Sequence, residues 1–126
     1  PENIGSYTST ERGYARRMIY IAQQYPKETG IILQSLRIGE LGIASIPAEA
    51  FVEIGLELKE KSPFKPTFVI ELANDQWVYL PTPRHHELGG YETWLGTNLL
   101  EVEAAPKVVR TLLDLFAELR GRRQSE

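Results

Sequence analysis

The sequence contains no cysteine and only two histidines among its 126 residues. The absence of cysteine excludes disulfides, thiolate metal sites and a cysteine nucleophile. There is no basic tract, and the formal net charge is −3, so the electrostatic footprint of a nucleic-acid-binding protein is missing. No apolar run approaches the roughly 18 residues of a transmembrane helix. We therefore expect neither a nucleic-acid partner nor a transmembrane segment.

What the sequence does have is the composition of an ordinary globular domain, with 42% hydrophobic and 25% charged residues. Its length suits one domain with a single core. The chain begins at Pro1 rather than at a methionine. We expect residues 1–126 to be the C-terminal portion of a longer polypeptide, and the motifs of the central region favour the same interpretation.

The first part of the chain predicts a helix followed by a β-hairpin. Thr8 and Glu11 have the spacing of a capping box, in which two side chains bind free backbone N–H groups at a helix start. Apolar residues then recur on one helical face. Two apolar runs, 31–38 and 41–46, flank a turn that begins at Gly39. Glycine at the first central position suits a two-residue type II′ hairpin turn.

The chain from Pro47 onward predicts two helices, two short strands and a polar loop. Pro47-Ala48-Glu49 breaks the second hairpin strand and begins a helix, whose dipole favours the Glu49 carboxylate in its first turn. The expected elements after it are a helix end at 62–63, strands at 67–72 and 76–80, a loop at 83–98 and a helix at 101–120. The last helix has a continuous apolar stripe and should pack on the sheet. The predicted fold is α/β, a mixed α+β layer within a larger α/β domain.

Residue chemistry alone gives few candidates for a functional site. The sequence has no nucleophile elbow, phosphate loop, HExxH or CxxC motif. Glu49 at a strand-to-helix junction and Tyr79 at a strand end occupy positions where α/β sheets usually place site residues. His85 and His86 are adjacent, which is poor spacing for chelation on a helix. Either histidine could bind zinc from a loop, but solvated side chains are the default interpretation.

Four short motifs follow one another at separated positions in the central region. They are Pro47-Ala48-Glu49, Ala73-Asn74, Tyr79-Leu80-Pro81-Thr82 and Tyr91-Glu92. In order and spacing they resemble the C-terminal part of the neutral/alkaline non-lysosomal ceramidase family, in particular its short bacterial members. The family has a Pro-Gly-Glu turn before a helix, so Ala48 stands in the place of a glycine. The resemblance covers residues 30–120.

The resemblance implies a zinc amidase that cleaves the N-acyl bond of ceramide to release a sphingoid base and a fatty acid. It implies that Glu49 and Tyr79 are zinc ligands and that Tyr91 hydrogen-bonds the developing oxyanion. The family's two histidine ligands come from upstream segments, and His85 and His86 do not match them. Because a catalytic zinc needs at least three protein ligands, the resemblance implies that an upstream segment of the parent chain completes the site.

Two other functions are compatible with the same resemblance. One is a non-catalytic binding or interaction module that retains the ceramidase-like fold without its chemistry. The other is an amidase that acts on a different lipid-like N-acyl substrate, since the sequence contains no marker of ceramide specificity. A partial sheet would also expose apolar strand edges. We therefore expect the chain to pair with the upstream segment of its parent or, as a homo-oligomer, with a copy of itself.

Overall fold

In a computed structural model, residues 8–121 are described, and they form four α-helices and five short β-strands. In chain order these are α1 (Ser9–Gln24), β1 (Gln34–Ile38), β2 (Leu41–Ser45), β3 (Glu49–Ala50), α2 (Val52–Lys61), β4 (Thr67–Ile70), β5 (Tyr79–Leu80), α3 (Pro83–Leu88) and α4 (Ala104–Gly121). A 3-10 turn spans Tyr91–Thr93. Within the described residues, no helix is both long enough and apolar enough to cross a bilayer.

The strands form two separate sheets. The larger sheet has the order β1-β2-β4, with β1 and β2 antiparallel and β2 and β4 parallel. The smaller sheet pairs β3 with β5 in parallel. Parallel neighbours need a long crossover connection, and α2 lies in the crossover of both parallel pairs. Helices and mixed strands therefore form an α+β fold, which confirms the predicted fold class.

The structure also confirms the capping box and the hairpin turn. The Glu11 backbone N–H donates to the Thr8 hydroxyl at 3.3 Å, and the Thr8 N–H donates to the Glu11 carboxylate at 2.7 Å. In the hairpin, Ile38 pairs with Leu41 across the turn. Gly39 between them has a φ of 60°, which the first central position of a type II′ turn requires.

The hydrophobic core lies between α2, α4 and one face of the larger sheet, so the predicted packing of the last helix on the sheet is confirmed. Phe116 of α4 is fully buried, and its ring meets the ring of Phe64 edge-on at 5.7 Å. Gly42 of β2 is also part of this contact, because an added Cβ would lie 2.9 Å from the Cβ of Phe64. The buried apolar cluster comprises Ala44, Ile46, Ala48, Ile54, Leu58, Phe64, Leu80, Ala104, Ala105, Val108, Val109, Leu112 and Phe116.

The predicted helix start at Pro47-Ala48-Glu49 is wrong, and Glu49 is not a first-turn acid. Glu49 lies in β3, and α2 begins three residues later at Val52. The Glu49 N–H donates to the carbonyl of Val78 at 2.7 Å, and the Phe51 N–H donates to the carbonyl of Leu80 at 3.3 Å. Pairing with β5 holds this segment extended. Local helix signals in the sequence do not report a pairing with distant residues, so they could not predict this strand.

Further boundaries differ from the sequence-based expectation. The strand expected from residue 31 begins at Gln34, and the strand expected at 67–72 ends at Ile70, before Leu72 with its φ of 50°. The strand expected at 76–80 contains only Tyr79–Leu80, because Val78 has a φ of 56° and cannot continue an extended strand. The region 83–98, expected to be a loop, contains α3 and the 3-10 turn. Pro83 is at the start of α3, where its fixed φ and missing N–H favour a helix.

Candidate functional site

Glu49 and Tyr79 lie side by side at the smaller sheet. They are register partners of the parallel pair β3–β5, so their side chains emerge on the same face. Each strand provides two residues, and the pairing is extended by the bond from the Trp77 N–H to the Pro47 carbonyl at 2.7 Å. The sequence separates Glu49 from Tyr79 by a helix and a strand, and the fold brings them together.

Tyr91 joins this pair from the 3-10 turn. Its hydroxyl lies 3.0 Å from the hydroxyl of Tyr79, and the two rings meet edge-on with centroids 5.6 Å apart. Two glycines precede the turn with left-handed backbone conformations, a φ of 79° at Gly89 and 123° at Gly90. A side chain at either position would be strained. All three residues that the ceramidase resemblance assigns to the site therefore lie together, Tyr91 through its contact with Tyr79.

The site brings several carboxylates close to Tyr79, and within residues 8–121 none of them forms an ion pair. The bond to Tyr91, partial burial and the charge of Glu49 together raise the pKa of Tyr79 to about 12. Glu71 follows β4, and burial together with the Glu49 charge raises its pKa above the usual range of a carboxyl group. Among residues 8–121, no lysine or arginine forms an ion pair with Glu49, Glu71 or Glu92. Opposite charge close to these groups would therefore be favourable.

The oxygen atoms of Glu49 and Tyr79 fit part of a metal site rather than a whole one. A glutamate oxygen is a ligand that zinc accepts, and the uncompensated charge around Tyr79 favours a cation. Within the described residues, however, no group of three or more His, Cys, Asp or Glu side chains could hold a metal ion. Any zinc bound by these two side chains would need further ligands.

The two histidines are held by other contacts and do not join the tyrosines. His85 Nδ1 lies 2.8 Å from the Thr82 hydroxyl, its Nε2 lies 3.5 Å from a Glu53 oxygen, and its ring contacts Phe51 at 4.3 Å. His86 Nε2 lies 3.3 Å from the Asn98 side-chain amide. Both rings are half-buried on α3. The expectation of solvated loop histidines is therefore wrong, and their contacts connect α3 to its neighbours.

Sequence reasoning missed two residues of this region, Glu71 and Val78. Glu71 comes directly after β4, and an acidic residue at a strand end was a signal of the same kind that selected Tyr79. Val78 carries no such signal. It is a β-branched residue with a positive φ, a rare and strained combination that only the folded backbone reveals.

Comparison with known proteins gives one informative match. No family model and no curated protein matches this chain. Among solved structures, the fold is similar to part of the neutral ceramidase from Pseudomonas aeruginosa, with a TM-score of 0.64 and 23% sequence identity. The match covers 82% of this chain and 18% of the ceramidase chain. The chain thus spans less than a fifth of that protein, and it shares the fold of that part.

Proposed function

We propose that this chain forms part of the active site of a zinc-dependent amidase that hydrolyses the N-acyl bond of ceramide or a related N-acyl lipid. An upstream segment of the parent polypeptide would complete the site. The proposal depends mainly on one observation: Glu49 and Tyr79 are register partners, and the Tyr79 hydroxyl lies 3.0 Å from that of Tyr91. The ceramidase resemblance assigns these same three residues to metal binding and catalysis. The similarity in fold to a neutral ceramidase is the second support.

Each of the three side chains has a distinct role in this proposal. Glu49 and Tyr79 would hold zinc, which when bound would polarise the amide carbonyl and lower the pKa of a water molecule to about 7. The Tyr91 phenol would donate a hydrogen bond to the oxyanion that develops as the amide is attacked. The bond between the two tyrosine hydroxyls restricts the position of the Tyr91 hydroxyl before substrate arrives. Such preorganisation is what makes an oxyanion donor effective.

The electrostatics of the site support a cation rather than an anion as its occupant. The Glu49 and Glu92 carboxylates both contribute to the raised pKa of Tyr79, after the larger effects of the Tyr91 bond and of burial. Glu71 adds a third carboxylate beside Glu49. A bound divalent cation would remove the repulsion among these groups. An anionic ligand would increase it.

The proposal is tested by measuring zinc content and lipid hydrolysis in the parent polypeptide. Glu49→Gln and Tyr79→Phe should each lose bound zinc and the release of fatty acid from N-acylsphingosine. Tyr91→Phe should retain zinc and lower kcat by about 100- to 1,000-fold, the usual effect of removing one oxyanion donor. Glu53→Gln is the matched control, since Glu53 is an exposed carboxylate on α2 that contacts His85 instead.

Each alternative has a distinct outcome in the same assays. Retention of zinc and hydrolysis by both Glu49→Gln and Tyr79→Phe would contradict the metal role. Tight stoichiometric zinc on residues 1–126 alone would contradict the need for upstream ligands. A wild-type protein that binds ceramide without hydrolysing any N-acyl lipid would favour the non-catalytic module. Hydrolysis of another N-acyl lipid in preference to ceramide would retain the amidase and change its substrate.

A further inference from the structure

Thr97 makes a separate hydrogen bond to each of the two site tyrosines. Its backbone carbonyl accepts the N–H of Tyr79 at 3.1 Å. Its side-chain hydroxyl lies against two backbone carbonyls that can accept its proton, that of Tyr91 and, at 2.9 Å, that of Trp94. These bonds connect β5 to the 3-10 turn through a single residue. The distance between the two tyrosine backbones therefore depends on where Thr97 lies.

The segment around Thr97 is well anchored. The backbone N–H groups of Thr97 and Asn98 both donate to the Trp94 carbonyl, at 3.0 and 2.9 Å. Asn98 is 4% exposed, and its side-chain oxygen accepts the N–H of Leu100 at 2.7 Å. Its side-chain amide lies 3.3 Å from His86 on α3. Thr97 therefore lies in a segment with several hydrogen bonds, and a bond from Thr97 can restrict the position of the more exposed Tyr91.

Apart from the edge-on contact with the Tyr79 ring, packing contributes little to the position of Tyr91. Its side chain is 49% exposed, and the turn that carries it follows two glycines. Side chains with few buried contacts are held mainly by directional bonds, and glycines allow the backbone many conformations. The Thr97 hydroxyl bond to the Tyr91 carbonyl is therefore well suited to hold this turn close to β5.

We propose that Thr97 is a positioning residue, whose hydroxyl holds Tyr91 so that its phenol meets that of Tyr79. The proposal depends on the proposed function only for the purpose of the tyrosine pair. The hydrogen bonds on which the proposal depends involve neither metal nor substrate. A valine at position 97 would keep the shape of threonine and remove the donor, and a serine would keep the donor.

The test is NMR of this chain with isotope-labelled tyrosine, which measures nuclear Overhauser effects between the rings of Tyr79 and Tyr91. Thr97→Val should lose these effects, whereas Thr97→Ser should retain them. Thr111→Val is the matched control, because Thr111 also donates its hydroxyl to a backbone carbonyl, that of Lys107 at 2.9 Å on α4. This control should retain the wild-type ring contacts.

Wild-type ring contacts in Thr97→Val would overturn the proposal, and so would their loss in Thr97→Ser. If Thr97→Val does not fold, the wild-type chain decides the question. A Thr97 hydroxyl proton protected from exchange, with an Overhauser effect to the Tyr91 backbone, supports the role. A rapidly exchanging proton, or a protected one whose Overhauser effect is to the Trp94 backbone alone, overturns it. Because these measurements need no metal or substrate, a failure here leaves the zinc and hydrolysis tests of Glu49 and Tyr79 unaffected, and the reverse also holds.

Discussion

The core beneath α4 and the end of the smaller sheet differ in almost every physical respect. Around Phe116 and Phe64, apolar side chains are fully buried and packed ring against ring. Around Tyr79, polar side chains are partly exposed, the nearby carboxylates form no ion pair with a lysine or arginine of residues 8–121, and Val78 has a positive φ. Close packing should stabilise the first region, whereas a strained backbone and carboxylates without ion pairs should lower the stability of the second.

If the end of the smaller sheet is part of the active site that we propose, this difference marks where the chain gives up stability for function. Residues held in rare backbone conformations, together with uncompensated charge, cluster at functional sites because the surrounding fold keeps them there. The burial of apolar side chains in the core provides that support. Substitutions in the two regions should therefore have different effects, and the predictions below test this division.

The largest effect is expected in the core. Phe116→Ala removes a fully buried ring and its edge contact with Phe64, and it should lower the free energy of unfolding by about 3–5 kcal/mol. Urea denaturation followed by circular dichroism measures this loss. Leu88→Ala on α3 is the control near the site, because Leu88 is 70% exposed. It should change stability by about 0.5 kcal/mol or less. Equal losses in the two variants would contradict the division.

A smaller effect of opposite sign is expected at Val78. Val78→Gly removes a β-branched side chain from a backbone with a φ of 56°, so it should raise the free energy of unfolding by about 1 kcal/mol. The same denaturation experiment measures the gain. Val69→Gly is the matched control, since Val69 is half-buried in strand β4 and glycine should weaken it. A loss of stability in Val78→Gly would show that the valine is not strained.

The smallest effect on stability is expected from Tyr91→Phe, which changes the chemistry of the site. The hydrogen bond between the Tyr79 and Tyr91 hydroxyls is the largest cause of the raised pKa of Tyr79, because donation by Tyr79 favours its protonated form. Removal of this bond should lower that pKa from about 12 towards the usual phenol value of about 10. An NMR titration of the tyrosine ring carbons measures the change. Tyr14→Phe is the control, because the Tyr14 ring contacts Trp94 instead. It should leave the pKa of Tyr79 at about 12.

The raised pKa of Tyr79 also predicts how the stability of the fold changes with pH. The folded-state pKa of Tyr79 lies above the usual unfolded value, so its protonated phenol stabilises the fold fully below pH about 10. This contribution is lost as the pH rises through about 12. In Tyr91→Phe the loss should be smaller and complete at a lower pH. An identical alkaline profile in both proteins would show that the tyrosine hydroxyls are not coupled.

Local patterns predicted the regular parts of this fold. The spacing of Thr8 and Glu11 identified the start of α1, Gly39 identified the hairpin turn, and the apolar stripe identified α4. These signals succeed because each depends on neighbours within one turn of helix or strand. The boundary that failed at Glu49 depends on contacts with distant residues. The helix α3 instead begins at a local signal, Pro83, which the sequence-based interpretation took as the end of a strand.

The resemblance to the ceramidase family predicted which residues form the candidate site, but it did not predict how they are arranged. Glu49, Tyr79 and Tyr91 were assigned from motif order, and their roles stay predictions until zinc and hydrolysis are measured. The bond between the tyrosine hydroxyls, the carboxylate Glu71 and the link through Thr97 came from the structure. No periodicity in the sequence encodes contacts between single residues on separate elements.

The sequence by itself determined that the chain forms an α+β domain, with an amphipathic last helix packed on a sheet that begins as a hairpin. Those properties follow from hydrophobic periodicity and turn chemistry, which act over a few residues. Only the tertiary structure decided that Glu49 is in a strand beside Tyr79, with Tyr91 held against it. That arrangement depends on backbone bonds between distant segments, and their free energy exists only when the whole fold is formed.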